Sequence, residues 1–127
     1  YPHVTETLKK LYEEKILMII ATNKREIPTI KLINYYNWQN YFISIECSDS
    51  HKSIRNKHEM IQDIIKKNHI FKKSSFVGDT INDGLSANRN QLQFLRANYG
   101  YGSNQDWSDV KVNRLIENFI ELESILI

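Results

Sequence analysis

At 127 residues and 15.1 kDa, the chain has the size of a single domain. A composition of 41% hydrophobic and 25% charged residues, with four Gly and two Pro, excludes a disordered, fibrous or linker-like chain. The formal charge is +2 and the lysine pairs are scattered, so the basic face that a nucleic-acid partner requires is not expected.

Apolar runs and cysteine content bear on the compartment. The longest apolar run, residues 16–21, is far shorter than the ~20 residues that a membrane span requires. Cys47 is the single cysteine, which excludes an internal disulfide and fits a reducing compartment. No charged-then-apolar leader opens the sequence. We therefore expect a cytoplasmic protein without a membrane partner.

Helical and strand-like patterns alternate along the chain. In chain order they predict helix 6–12, strand 16–21, helix 28–36, strand 41–45, helix 57–68, strand 74–77, helix 83–90, strand 92–97 and helix 110–125. Thr5 is the expected N-cap of the first helix. Such alternation is typical of an α/β layered fold with a mainly parallel sheet, and no linker or repeat divides the chain.

Polar residues that directly follow the apolar runs are the candidate site residues, because ligands of open parallel sheets bind at the carboxyl ends of the strands. Asp79 and Asp83, four residues apart after Gly78, could direct carboxylate oxygens toward Mg²⁺. Lys57, at a helix start, could place positive charge on a phosphoryl group. The Thr22 hydroxyl could donate a hydrogen bond to the same group.

Each candidate also has a purely structural interpretation. Thr22 and Asn23 are compatible with capping the next helix, Lys57 with a solvated surface, and Asp79 and Asp83 with helix caps. The histidines lack the spacing of a metal site; they are His3, His51, His58 and His69. Cys47 has no evident base beside it, so we expect a small buried residue rather than a nucleophile.

Several short motifs, in this order along the chain, resemble those of the haloacid dehalogenase-like phosphohydrolases, and within them the phosphoglycolate-phosphatase-type branch. They are the opening at residues 1–8, Ile-Ile-Ala-Thr-Asn-Lys at 19–24, Phe-Val-Gly-Asp-Thr-Ile-Asn-Asp-Gly-Leu-Ser-Ala at 76–87 and Tyr-Gly-Tyr-Gly at 99–102. The resemblance covers residues 1–102 and departs at Asn90-Gln91, where relatives usually carry Ala-Gly.

The resemblance implies roles for the candidate residues. Thr22, with Asn23 beside it, would bind the transferring phosphoryl group. Lys57, or with less support Lys52, would neutralise charge on the nucleophile and the phosphoryl oxygens. Asp79 would be a Mg²⁺ ligand and Asp83 would act behind it or through water. Phosphoryl transfer is mostly positioning and charge neutralisation, which such groups provide.

The first motif of that family, Asp-x-Asp-Gly-Thr, is not in the sequence, and neither is the cap domain inserted after it. The first aspartate of that motif is the covalent nucleophile and the second is the general acid/base. Its strand would lie between those ending at Thr22 and Gly78, so the resemblance implies an incomplete Rossmann-like three-layer core over residues 1–127. A missing N-terminal segment could supply this strand, another molecule could supply it, or the flanking strands could pair directly.

Two functions are compatible with these features. The first is the core of a Mg²⁺-dependent phosphatase for a small phosphorylated metabolite, inactive as these 127 residues alone. The second is a catalytically dead domain of the same fold that serves binding or assembly. A doubly wound signalling receiver fits less well, since its acidic cluster would follow the first strand, where this chain has Thr22, Asn23 and Lys24.

Overall fold

The computed structural model describes residues 3–50, 55–68 and 74–127. They fall into two compact units. Unit 1 comprises Tyr1–Asn56 and Phe119–Ile127, and unit 2 comprises Lys57–Asn118. No helix among these described residues is long and apolar enough to cross a membrane.

Unit 1 is built on a short parallel strand pair flanked by helices. Its elements, in chain order, are α1 (Val4–Glu13), β1 (Ile19–Ala21), α2 (Glu26–Tyr35), a 3₁₀ turn (Gln39–Tyr41), β2 (Ser44–Glu46) and α5 (Glu121–Leu126). Residues 19–21 of β1 pair with residues 44–46 of β2. Helix α1 packs against α5, where Leu122 is buried, and Thr7 Oγ1 donates a hydrogen bond to Glu123 Oε2 at 3.0 Å.

Unit 2 contains a three-stranded parallel sheet with the order β3-β4-β5. Its elements are α3 (Lys57–Asn68), β3 (Ser75–Gly78), α4 (Ile81–Arg89), β4 (Gln93–Ala97) and β5 (Arg114–Ile116). Its core contains Ala87, Phe94 and Val110, and the Trp107 ring stacks on Phe94 with centroids 6.0 Å apart. The sheet places the loop after β3 at its carboxyl end, where α4 begins.

The predicted α/β class with parallel strands is confirmed, and every pair of neighbouring strands that the structure describes is parallel. The described strands form two separate sheets, β1-β2 and β3-β4-β5. Direct pairing of the strands that end before Thr22 and at Gly78, one of the three possibilities above, is therefore not seen in the described part of the chain. The single-domain assignment for residues 1–127 stays a prediction.

The terminal helix predicted at residues 110–125 is wrong. Residues 114–116 form β5, which pairs in parallel with residues 95–97 of β4, and only Glu121–Leu126 is helical. Pairing satisfies backbone groups along β4 that a helix would have left without partners. A sheet contact of this kind overrides the local helical pattern, which is a weak determinant of structure.

Among the predicted boundaries that differ from the structure, two lie in the first helix and the first strand. Thr5 is not the cap of α1, because the N-cap is His3, in a left-handed conformation with φ 64° and without a side-chain cap. Thr5 Oγ1 instead accepts a hydrogen bond from Trp38 Nε1 at 3.0 Å. The first strand starts at Ile19 rather than at residue 16, because the Ile16 amide donates to Leu11 O at 3.0 Å and closes the end of α1.

Candidate functional site

The turn between β3 and α4 is held by reciprocal capping. Thr80 is the N-cap of α4; its Oγ1 accepts from the Asp83 amide at 3.3 Å, and the Thr80 amide donates to Asp83 Oδ2 at 3.3 Å. This capping box satisfies amides at the helix start that would otherwise lack partners. The capping interpretation of Asp83 is confirmed, and the box fixes the backbone on which Asp79 lies.

Asp83 also contacts Lys57. Its Oδ2 accepts a hydrogen bond from the Asp79 amide at 3.2 Å, while its Oδ1 lies 3.3 Å from Lys57 Nζ. The side chains of Lys57 and Asp83 are only 7% and 12% exposed, so the solvated-surface interpretation of Lys57 is wrong. Burial weakens solvent screening, so interactions of this ion pair with groups at the β3–α4 turn are stronger than they would be at the surface.

Lys57 is held from a second side by an aromatic ring. It is the first residue of α3, and its Nζ lies 6.0 Å from the centroid of the Phe76 ring. Phe76 belongs to β3, so the strand that leads to Asp79 also supports the lysine. A cation over a ring face is attracted by the ring quadrupole. The structure thus brings Lys57, Asp79 and Asp83 together in unit 2.

Asp79 follows β3 and is half-buried. Its Oδ2 accepts a hydrogen bond from the Tyr101 amide at 3.0 Å. Gly78 and Gly100 leave space beside these carboxylates: a Cβ on Gly78 would lie 2.9 Å from Asp83 Cγ, and one on Gly100 would lie 2.7 Å from Asp79 Cγ. Neither glycine has a positive φ, so both are required for space rather than for backbone conformation.

Among the described acidic side chains of this turn, one carboxylate oxygen is available to coordinate a hard cation. Both oxygens of Asp83 are engaged, whereas Asp79 has an engaged Oδ2 and an Oδ1 that accepts no hydrogen bond from the part of the chain described. Mg²⁺ keeps several waters and is usually held by one or two carboxylates. No group of three or more His, Cys, Asp or Glu side chains in residues 3–50, 55–68 and 74–127 could hold a metal. Asp79 would therefore be one ligand among others.

Thr22 and Asn23 belong to unit 1, directly after β1. The Thr22 amide donates to Glu46 O, and Thr22 Oγ1 accepts from the Lys24 amide at 3.2 Å, which leaves the hydroxyl proton for another acceptor. Neither residue caps α2, so that interpretation is wrong: the N-cap is Arg25, without a side-chain cap. Their predicted contact with the same phosphoryl group as Lys57 stays a prediction.

Sequence patterns missed an acidic cap after β2. Asp49 Oδ1 accepts a hydrogen bond from the Glu26 amide at 2.7 Å, which ties the loop after β2 to the first turn of α2. Asp49 lies after a strand, as Thr22 and Asp79 do. Its partner is 23 residues away in sequence, so local spacing does not indicate the contact.

Sequence patterns also missed a buried ion pair in unit 1. Arg55 Nη2 lies 3.1 Å from Glu46 Oε2, with side-chain exposures of 7% and 6%. Cys47, next to this glutamate, is fully buried with a free thiol, which confirms the prediction of a small buried residue. This pair fixes the end of β2.

The remaining candidates take structural positions or lie outside the described residues. His58 Nδ1 is 3.2 Å from Asn90 Nδ2, and Asn90 is the C-cap of α4. Gln91, the second residue of the Asn90-Gln91 pair, adopts a left-handed φ of 59°, a conformation that glycine adopts more readily than glutamine. Asp106 has a lowered pKa because the backbone and side chain of Ser108 donate hydrogen bonds to its carboxylate. Lys52, His51 and His69 lie outside the described residues.

Comparison with known proteins gives a consistent family. The family model described as haloacid dehalogenase-like hydrolase matches residues 1–97. A curated protein from Agrobacterium fabrum, named phosphoglycolate phosphatase, is 30% identical over 102 residues, which is 80% of this chain and 44% of that protein. One with the same name from Psychrobacter arcticus is 25% identical over 130 residues, covering 100% of this chain and 56% of that protein.

Solved structures give the same fold. A Clostridium difficile protein, provisionally described as a phosphatase, matches with a TM-score of 0.89 and 26% identity, covering 100% of this chain and 60% of that one. A haloacid dehalogenase-like hydrolase from Streptococcus pneumoniae matches with a TM-score of 0.86 at 18% identity, over 100% of this chain and 60% of that one, and shows the fold alone. The chain spans about half the length of the curated relatives it matches.

Proposed function

The chain belongs to the haloacid dehalogenase-like hydrolase family, and from that premise we propose that it is the core of a Mg²⁺-dependent phosphatase for small phosphate monoesters. The observation that carries the proposal is the buried contact of Lys57 with Asp83, beside the turn that presents Asp79. A buried, oriented ammonium next to an available carboxylate oxygen suits a reaction in which negative charge shifts between phosphoryl oxygens.

The proposed mechanism assigns a task to each of these residues. Lys57 neutralises charge on the phosphoryl oxygens and stays oriented because Asp83 holds its ammonium. Asp79 offers one carboxylate oxygen to Mg²⁺, which when bound would polarise the phosphoryl group. Thr22 donates its hydroxyl proton to a phosphoryl oxygen, Asn23 binds beside it, and Asp83 fixes the turn that carries Asp79.

The nucleophile is the part that the sequence does not supply. The chain contains no Asp-x-Asp-Gly-Thr motif, so no aspartate in it has the spacing for the covalent step. We therefore expect these residues alone not to turn over substrate. A strand that bears this motif, from an additional segment of the same protein or from another molecule, is the proposed partner.

A small phosphorylated metabolite is the proposed substrate. Two curated relatives are named phosphoglycolate phosphatase, which makes a two-carbon phosphate monoester the first compound to test. The resemblance places substrate selection in a cap that this sequence does not contain, so its residues recognise the phosphoryl group rather than the remainder of the substrate.

The test is a phosphatase assay on two proteins with a chromogenic phosphate ester and with 2-phosphoglycolate, with and without Mg²⁺. One is the chain alone, and the other carries an added N-terminal segment with the Asp-x-Asp-Gly-Thr motif. We expect no turnover for the first and Mg²⁺-dependent turnover for the second. Asp79→Ala should abolish that turnover, and the exposed neighbour Asn82→Ala should retain it. Clear turnover by the chain alone would contradict the expected inactivity.

The absent nucleophile motif favours one alternative, a catalytically inactive domain of the same fold that serves binding or assembly. The mass of the protein in cells distinguishes the two proposals. A mass near 15.1 kDa favours the binding domain, and a much larger mass favours the enzyme core.

A further inference from the structure

Residues 99–105, here called the Gly-Tyr loop, follow β4 and lie against the β3–α4 turn. The Tyr101 amide donates to Asp79 Oδ2 at 3.0 Å, and Gln105 Oε1 accepts from the Ile81 amide at 3.1 Å. Gly102 lies so close that an added Cβ would reach Thr80 Cα at 2.9 Å. The loop therefore touches both the Asp79 side chain and the start of α4.

The side chains of Trp107 and Arg96 contact the Gly-Tyr loop and each other. Trp107 Nε1 donates to Gly102 O at 2.9 Å, and the Arg96 guanidinium lies 4.1 Å from the centroid of the Trp107 ring. Arg96 Nη2 in turn donates to Ser103 O at 3.3 Å. Side chains of β4 and of the segment after the loop therefore hold Gly102 and Ser103, the two residues that follow Tyr101.

From this arrangement we propose that the Gly-Tyr loop positions Asp79 for a divalent cation. The Tyr101 amide holds Oδ2, so that Oδ1 is the oxygen presented for coordination. Gly100 is required because a side chain there would displace the Asp79 carboxylate. The inference rests on the proposed function, since it assigns a role to contacts of the proposed metal ligand. The loop residues themselves touch neither metal nor substrate.

Three substitutions separate backbone positioning from any role of the exposed tyrosine ring. Gly100→Ala introduces a methyl group at the Asp79 carboxylate. Tyr101→Pro removes the amide donor and places the ring Cδ where the amide hydrogen points to Asp79 Oδ2. Tyr101→Ala is the matched control, because it keeps the amide and removes only a ring that is 92% exposed.

The readout is affinity for Mn²⁺, used as a probe for Mg²⁺ and measured by electron paramagnetic resonance on the full gene product that contains these residues. Partners that orient a metal ligand typically change metal affinity by about 10–100-fold when they are lost. We expect Gly100→Ala and Tyr101→Pro each to weaken Mn²⁺ binding by at least about 10-fold, with Tyr101→Ala unchanged. In the phosphatase assay the two variants should raise the Mg²⁺ concentration for half-maximal rate and keep kcat at saturating Mg²⁺.

Asp79→Ala, measured in parallel, separates the two proposals. If Asp79→Ala leaves Mn²⁺ affinity intact, the metal role of Asp79 and the proposed function fail. If Asp79→Ala abolishes binding while both loop variants bind as tightly as the unmodified protein, only the positioning role is overturned. Loop variants that lower thermal stability and kcat without changing Mn²⁺ affinity would show a structural role and would also overturn it.

Discussion

Asp83 is the residue on which most of the described site geometry depends. Its carboxylate accepts hydrogen bonds from the amides of Asp79 and Thr80 and lies 3.3 Å from the Lys57 ammonium. Residue types and spacing indicated a helix cap or a ligand for this position. The structure shows how one carboxylate caps α4 and also pairs with a buried lysine, which a linear pattern does not reveal.

At this residue we predict a large loss of stability for Asp83→Ala. The change removes the Asp83 half of the capping box of α4 and leaves the buried Lys57 without this carboxylate, so the free energy of unfolding should fall by about 3 kcal/mol. Urea unfolding measures this change in the free energy of unfolding. Asn82→Ala, one residue away and exposed, is the control and should change stability by less than about 0.5 kcal/mol. A loss below about 1 kcal/mol for Asp83→Ala would mean that the pair is not buried as described.

Among the elements, α3 was predicted at residues 57–68 and is observed as Lys57–Asn68, because its apolar face of Met60, Ile61 and Ile64 is encoded locally. The chain end was predicted wrongly, since β5 exists through its pairing with β4. The candidate site likewise has parts that the local sequence indicates and parts that depend on contacts between distant residues. The β3–α4 turn residues were found from their position after a strand, whereas the Tyr101 amide on Asp79 depends on a contact 22 residues away.

Helix α2 provides the prediction at this scale. Its N-cap residue Arg25 makes no side-chain cap, and Asp49 from the loop after β2 accepts the Glu26 amide instead. Asp49→Ala should lower the free energy of unfolding by about 1 kcal/mol, as loss of a helix cap does. Asp49→Asn keeps an acceptor oxygen and should therefore retain most of the stability that Asp49→Ala loses. Equal losses in the two variants on urea unfolding would show that charge rather than capping stabilises the helix.

For the molecule as a whole, the last residues of the chain return to the unit that contains the first. Helix α5 lies in unit 1 and packs against α1, although residues 57–118 form unit 2. Leu122 is 2% exposed, and Thr7 and Glu123 are joined by a hydrogen bond. The C-terminal segment is therefore part of the core of unit 1.

We accordingly predict that Leu122→Ala destabilises unit 1, because a buried leucine is replaced by a cavity. The expected loss is about 2–4 kcal/mol in the free energy of unfolding, measured by urea titration with Trp38 fluorescence as the probe in unit 1. Because Trp107 also emits, the unmodified protein and both variants should carry Trp107→Phe as a common background. Ile127→Ala, at a position 53% exposed, is the matched control and should cost less than about 1 kcal/mol. If Leu122→Ala and Ile127→Ala unfold at the same urea concentration, α5 does not contribute to the core of unit 1, and stability of that unit resides in residues 3–50 with Arg55 and Asn56.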